Sequence, residues 1–121
     1  MTVFDASALL AYLGGEDGCE SVEAALIAGG SCSAANWSEV AQKVRAAQGD
    51  WDLARTLLLS YDVRVEPVTI ADAEWAAKRW RRGEGFSLGD RLCLALADRL
   101  GCDVMTADRS WGEGGGITQI R

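Results

Sequence analysis

The chain has 121 residues, 49% of them hydrophobic and 25% charged, with a formal net charge of −6 and no histidine. That length suits one domain with a real core, and the acidic balance argues against a protein that coats nucleic acid by charge alone. Without histidine there is no Ser–His or Cys–His nucleophilic site and no imidazole acid–base chemistry, so carboxylates, a metal ion or lysine must carry any reaction.

No apolar run approaches membrane-spanning length, and the start (Met1, Thr2, Val3, Phe4, Asp5) lacks a signal peptide's basic region and apolar stretch. The cytoplasm is the expected compartment. Cys19, Cys32, Cys93 and Cys102 form no C-x-x-C pair, which makes a zinc site improbable and predicts reduced thiols in the core or at the surface.

In chain order, residues 2–4 read as a short buried strand and 7–13 as a helix with Leu9, Leu10 and Leu13 on one face. A glycine-rich turn over 14–18 leads to a helix over 20–27. Residues 31–33 form a weak strand before a helix over 35–48, closed by Gly49, and another helix covers 53–60. Residues 63–68 alternate as a strand, with Pro67 favouring its edge or end. Helices follow over 71–82 and 87–100, then strands over 103–106 and 117–120, the last after a glycine-rich loop. Strands alternating with helices predict an α/β fold: a parallel sheet covered on both faces, with its strand C-termini along one rim.

Asp5, Glu39, Asp90 and Asp108 each stand at the end of an apolar segment or the start of a helix. Such junctions gather on one edge of an α/β sheet. Clustered carboxylates repel unless a cation lies among them, and an all-oxygen donor set points to Mg²⁺ or Mn²⁺. Each acid also has a plainer explanation. Ser87 and Asp90 make a capping box, Glu39 suits the positive end of a helix, and Asp108 can cap residues 109–111. Asp5 is harder to dismiss, since it follows a buried run where an unpaired carboxylate is costly.

The segments Val3-Phe4-Asp5-Ala6-Ser7-Ala8-Leu9-Leu10, Asn36-Trp37-Ser38-Glu39-Val40, Ser87-Leu88-Gly89-Asp90 and Thr106-Ala107-Asp108-Arg109-Ser110-Trp111 carry a resemblance nearly end to end. The chain resembles PIN-domain ribonucleases, and most closely the VapC-type toxins of bacterial type II toxin–antitoxin modules. That resemblance implies a single three-layer α/β/α PIN domain over residues 1–121, with an acidic metal pocket at the strand C-termini. It implies Asp5 and Asp90 as principal ligands of Mg²⁺ or Mn²⁺, and Glu39 and Asp108 as the remaining acids. Ser7 and Thr106 match hydroxyl positions that orient the carboxylates, and Asn36 is a supporting residue. The activity implied is endoribonucleolytic hydrolysis leaving a 5′-phosphate and a 3′-hydroxyl. The partners implied are an RNA substrate, a cognate antitoxin and a second copy in a homodimer, with no membrane and no DNA binding by this chain alone.

The only dense basic run, Lys78-Arg79-Trp80-Arg81-Arg82, lies just before Asp90. Arg79, Arg81 and Arg82 are candidate RNA contacts, with Trp80 stacking on a base. The alternative is a solvated helix end with Trp80 packed in the core. A haloacid-type phosphatase needs a second Asp where Ser7 stands, and a phospho-receiver needs a lysine near the last strands, where none occurs. The remaining rival is a catalytically inactive PIN-like binding module.

Overall fold

Five parallel strands order the molecule as β3-β2-β1-β4-β5 in the computed structural model, which describes all residues, 1–121. They are β1 (Thr2–Phe4), β2 (Gly30–Ser33), β3 (Val63–Glu66), β4 (Asp103–Thr106) and β5 (Ile117–Gln119). The helices are α1 (Ala6–Leu13), α2 (Cys19–Ala28), α3 (Ala34–Ala46), α4 (Trp51–Leu59), α5 (Ile70–Arg79) and α6 (Leu88–Leu100), and a 3-10 turn spans Arg109–Trp111.

The two-residue period of a strand divides the core into two layers. Phe4 and Met105 face one side with Leu9, Val22, Leu26, Val40 and Leu58 from α1 to α4. Val3 and Val104 face the other with Cys93, Leu96 and Ala97 of α6, over which α5 packs. The chain runs outward from β1 through β2 to β3, then crosses through α5 and α6 to place β4 on the other side of β1. The direction of winding therefore reverses between β1 and β4, the place where open α/β sheets present their functional groups. Gly30 permits the close β1–β2 approach, because a Cβ there would collide with the Thr2 carbonyl and stand 2.6 Å from Phe4 Cε2.

The elements agree with the expected ones, with shifted ends. Helix α3 stops at Ala46, and Gln48 adopts a left-handed conformation (φ 64°). Asp50 starts α4 earlier than expected by accepting the Leu53 N–H. Strand β3 ends before Pro67, on the sheet edge. The expected helix over 71–82 ends at Arg79, so Arg81 and Arg82 lie outside it. Trp80 is not in the core: it is extended and 48% exposed. All four cysteines are free, with Cys32 and Cys93 buried.

The helical hairpin of α5 and α6 is pinned at both ends. Arg99 donates to both oxygens of buried Asp72, at 3.0 and 3.1 Å, while Arg91 Nη1 donates to the Ala76 carbonyl at 2.7 Å. These ties hold the start of α6, and with it Asp90, in a fixed relation to the end of α5.

Candidate active site

Asp5 directly follows β1, and its N–H donates to the Met105 carbonyl at 3.0 Å, so the sheet ladder sets its position. It occupies the N-cap of α1 without using its side chain as a cap. Instead, Ser7 Oγ and Thr106 Oγ1 donate to the same oxygen, Oδ2, at 2.6 and 2.8 Å. Oδ1 receives no side-chain donor. The residue is only 4% exposed. Burial raises its pKa and the Asp90 charge adds to this, while the Ser7 and Thr106 hydroxyls pull it back.

Glu39 is half-buried in α3. Its pKa is also raised, by burial first and then by the charges of Asp5 and Asp90, against the hydrogen bond from Asn36 and the Lys43 charge. Asn36 is fully buried, and its amide donates both to Glu39 Oε1 (3.2 Å) and to the Gly89 carbonyl (3.1 Å). One side chain thus ties the second acid to the helix bearing the third. Gly89 is a close-approach position to which the sequence assigned no role. A Cβ there would collide with Glu39 Oε1, and a glycine in a helix, where it costs stability, is the signal that marks such a close approach.

Asp90 and Asp108 are both half-committed to local structure. Asp90 Oδ2 accepts the Ser87 N–H at 2.9 Å while Ser87 Oγ accepts the Asp90 N–H at 3.0 Å, completing the capping box. Asp108 Oδ1 accepts from Ser110 N and Oγ at 2.9 and 2.6 Å, and its own N–H donates to Thr106 Oγ1 at 3.0 Å. Capping engages one oxygen of each carboxylate and leaves the second without a side-chain donor.

Asp5, Glu39 and Asp90 therefore lie within electrostatic reach of one another, and Asp108 is linked to Asp5 through Thr106. No Lys or Arg forms an ion pair with any of these acids; the ion pairs join Arg79 to Glu84, Arg99 to Asp72 and Arg121 to Glu16. No three acidic or thiol side chains are already gathered at metal-ligand distances. The expected acidic pocket is not one of the three cavities either, since none is lined by these four acids. The raised pKa values of Asp5 and Glu39, the absence of an ion pair to any of the four acids, and their oxygen donors fit a hard divalent cation.

Such an arrangement, carboxylates at the switch point of a parallel sheet, defines a class of α/β proteins with acidic sites. The chain belongs to the PIN domain family, which it matches over residues 2–115. It is similar in fold to a toxin–antitoxin complex from Klebsiella pneumoniae, with 18% identity, a TM-score of 0.79, and 100% of this chain and 98% of that chain covered. It is also similar to Mycobacterium tuberculosis VapC20, a Sarcin-Ricin loop cleaving toxin, with 21% identity, a TM-score of 0.71 and 88% of each chain covered. No curated protein matches it in sequence.

Proposed function

We propose that this protein is a Mg²⁺- or Mn²⁺-dependent endoribonuclease toxin of the VapC type, restrained by a cognate antitoxin. The observation that carries the proposal is Asp5: a buried carboxylate with no ion-pair partner, oriented through one oxygen and within electrostatic reach of Asp90 and Glu39. Asp5 and Asp90 would hold the ion, with Glu39 and Asp108 completing the oxygen set. A bound divalent ion supplies an acidified water and neutralises phosphate charge during in-line attack.

This chain's residues do the rest. Ser7 and Thr106 fix the Asp5 carboxylate, so little reorganisation is left for the bound state. Asn36 fixes Glu39 Oε1 and leaves Oε2 without a side-chain donor, placed to orient the attacking water or take its proton. The expected products are a 5′-phosphate and a 3′-hydroxyl.

The antitoxin reading draws on the Klebsiella complex and on an exposed apolar groove of 690 Å³ lined by Leu10, Leu13, Val44, Leu53 and Leu57. A large apolar patch of this kind favours a protein partner. A homodimer belongs to the same reading, and sedimentation of the purified chain tests it. The capped states of Asp90 and Asp108 favour a second reading, an inactive binding module.

Incubation of total RNA with wild type and Asp90→Asn, in Mn²⁺ and in EDTA, separates the two. Cleavage that needs Mn²⁺ and disappears in the variant supports the nuclease. A folded wild type, free of partner, that cuts nothing under any metal condition supports the binding module.

A further inference from the structure

Trp80 is the one tryptophan left substantially exposed, at 48%, whereas Trp51 and Trp111 are buried and Trp37 and Trp75 are half-buried. It ends α5 in an extended conformation (φ −60°, ψ 136°), which turns the chain out of the helix. The Arg82 guanidinium carbon lies 5.4 Å from the Trp80 ring centroid. Arg81 Nη1 clamps the turn by donating to the Lys78 and Trp80 carbonyls at 2.7 and 2.9 Å. Neither Arg81 nor Arg82 forms an ion pair. Arg79 differs: it pairs with Glu84 at 2.6 Å and lies over Phe86, so it is already engaged.

The α5–α6 hairpin carries this group to the same end of the molecule as the start of α6, where Asp90 stands. Arg91, the neighbour of Asp90, bonds the Ala76 carbonyl, and Trp80 lies one helical turn further on, about 6 Å along the axis. In a chain of net charge −6, the one dense cationic run thus lies at the end of the molecule that carries Asp90. A polyanion approaching those carboxylates needs compensating charge next to them. An indole held outside the core offers a flat face that every base can use.

We infer that Trp80, flanked by Arg81 and Arg82, is a stacking platform for an unpaired base of the RNA substrate, placed a few nucleotides from the acids. The inference rests on the ribonuclease reading for the identity of the ligand. Arg82 takes one face of the indole and the base takes the other, while the arginines contact the adjoining phosphates. Substrates with a base free to leave its stack are therefore preferred over continuous duplex.

The test is fluorescence anisotropy in EDTA, where no turnover occurs, with a labelled RNA hairpin carrying an unpaired loop and a fully paired duplex of equal length. Wild type is compared with Trp80→Ala, Trp80→Phe and Arg45→Ala, the last an exposed cation in the far turn of α3. Thermal melts establish that each variant is folded. Trp80→Ala is expected to weaken hairpin binding about tenfold and duplex binding by less than about twofold. Trp80→Phe retains most of the affinity, and Arg45→Ala binds as wild type. Equal hairpin binding by wild type and Trp80→Ala overturns the platform, as does an equal loss on both RNAs. A wild type that binds the hairpin through Trp80 but never cuts RNA in Mn²⁺ refutes the nuclease reading alone. One that cuts while Trp80→Ala binds normally refutes the platform alone.

Discussion

Gly89→Ala should separate activity from stability. Gly89 sits in the first turn of α6 with no positive φ, so alanine fits its backbone without strain. The new Cβ would collide with Glu39 Oε1 and stand 3.1 Å from Glu39 Cδ. Reaching an ordinary carbon contact requires the carboxylate to retreat by about 0.5–1 Å or more. That movement breaks the 3.2 Å bond from Asn36, costing about 1.5–3 kcal/mol at most for a charged acceptor and less at a half-exposed one. Alanine returns about 0.5–1 kcal/mol through helix propensity. The net destabilisation is thus at most about 2.5 kcal/mol, while a 1 Å displacement of a working carboxylate lowers the rate about 100-fold. Urea unfolding gives the first quantity and Mn²⁺-dependent cleavage of a labelled RNA the second. A variant that cuts within about threefold of wild type would refute a role for Glu39 in this position. One that fails to fold would refute the idea that Glu39 absorbs the clash.

Thr106→Val removes the donor to Asp5 Oδ2 and the acceptor of the Asp108 N–H; it should cost about 1–3 kcal/mol. It should also move the acidic limb of the pH–rate profile to higher pH, and an unmoved limb would count against Asp5 as the group reporting there. Because Asp5 and Glu39 have raised folded-state pKa values, they bind protons more tightly folded than unfolded. Their stabilising contribution is complete below about pH 4 and is lost as pH rises through the raised values. Asp5→Asn should remove its share of that slope in metal-free urea titrations, and slopes that coincide with wild type would contradict the assignment. At neutral pH, Mn²⁺ at about 100 times its Kd should add about 2.7 kcal/mol to wild type and nothing to Asp5→Asn, read from unfolding midpoints. Gly30→Ala should cost about 1–3 kcal/mol by overpacking β1 against β2, and a variant as stable as wild type would show that the strands can separate freely.

Four strands were legible because β1, β3, β4 and β5 carry β-branched residues, whereas β2 (Gly-Ser-Cys-Ser) carries none and was suggested mainly by the alternation of strands with helices. Asp5 was the most legible acid: a carboxylate after Val3 and Phe4 has no inexpensive structural explanation, and its side chain caps nothing. Asp90 was ambiguous for a physical reason, since the Ser87 capping box is real and one carboxylate can cap and coordinate together. The contribution of Asn36 and Gly89 was out of reach, because it depends on α3 and α6 meeting across 53 residues of sequence. Local pattern carries no information about such an approach.

The basic run illustrates the same limit from the other side. A helix continued to Arg82 would have allowed Trp80 to face the core, and composition alone could not choose between core and surface. The helix ends instead at Arg79, with the Arg81 side chain on the carbonyls of Lys78 and Trp80. The last-turn cations Lys78 and Arg79 suit a helix end, but the basic run continues through Arg82, so no glycine or proline marks Arg79 as the stopping point. Yet that termination is what leaves the indole exposed at the end of α5. Extending α5 by replacing Arg81 with alanine would therefore tend to withdraw Trp80 as well as remove a charge, so the loss of RNA affinity in Arg81→Ala should exceed that in Arg82→Lys, which keeps both the helix end and the cation.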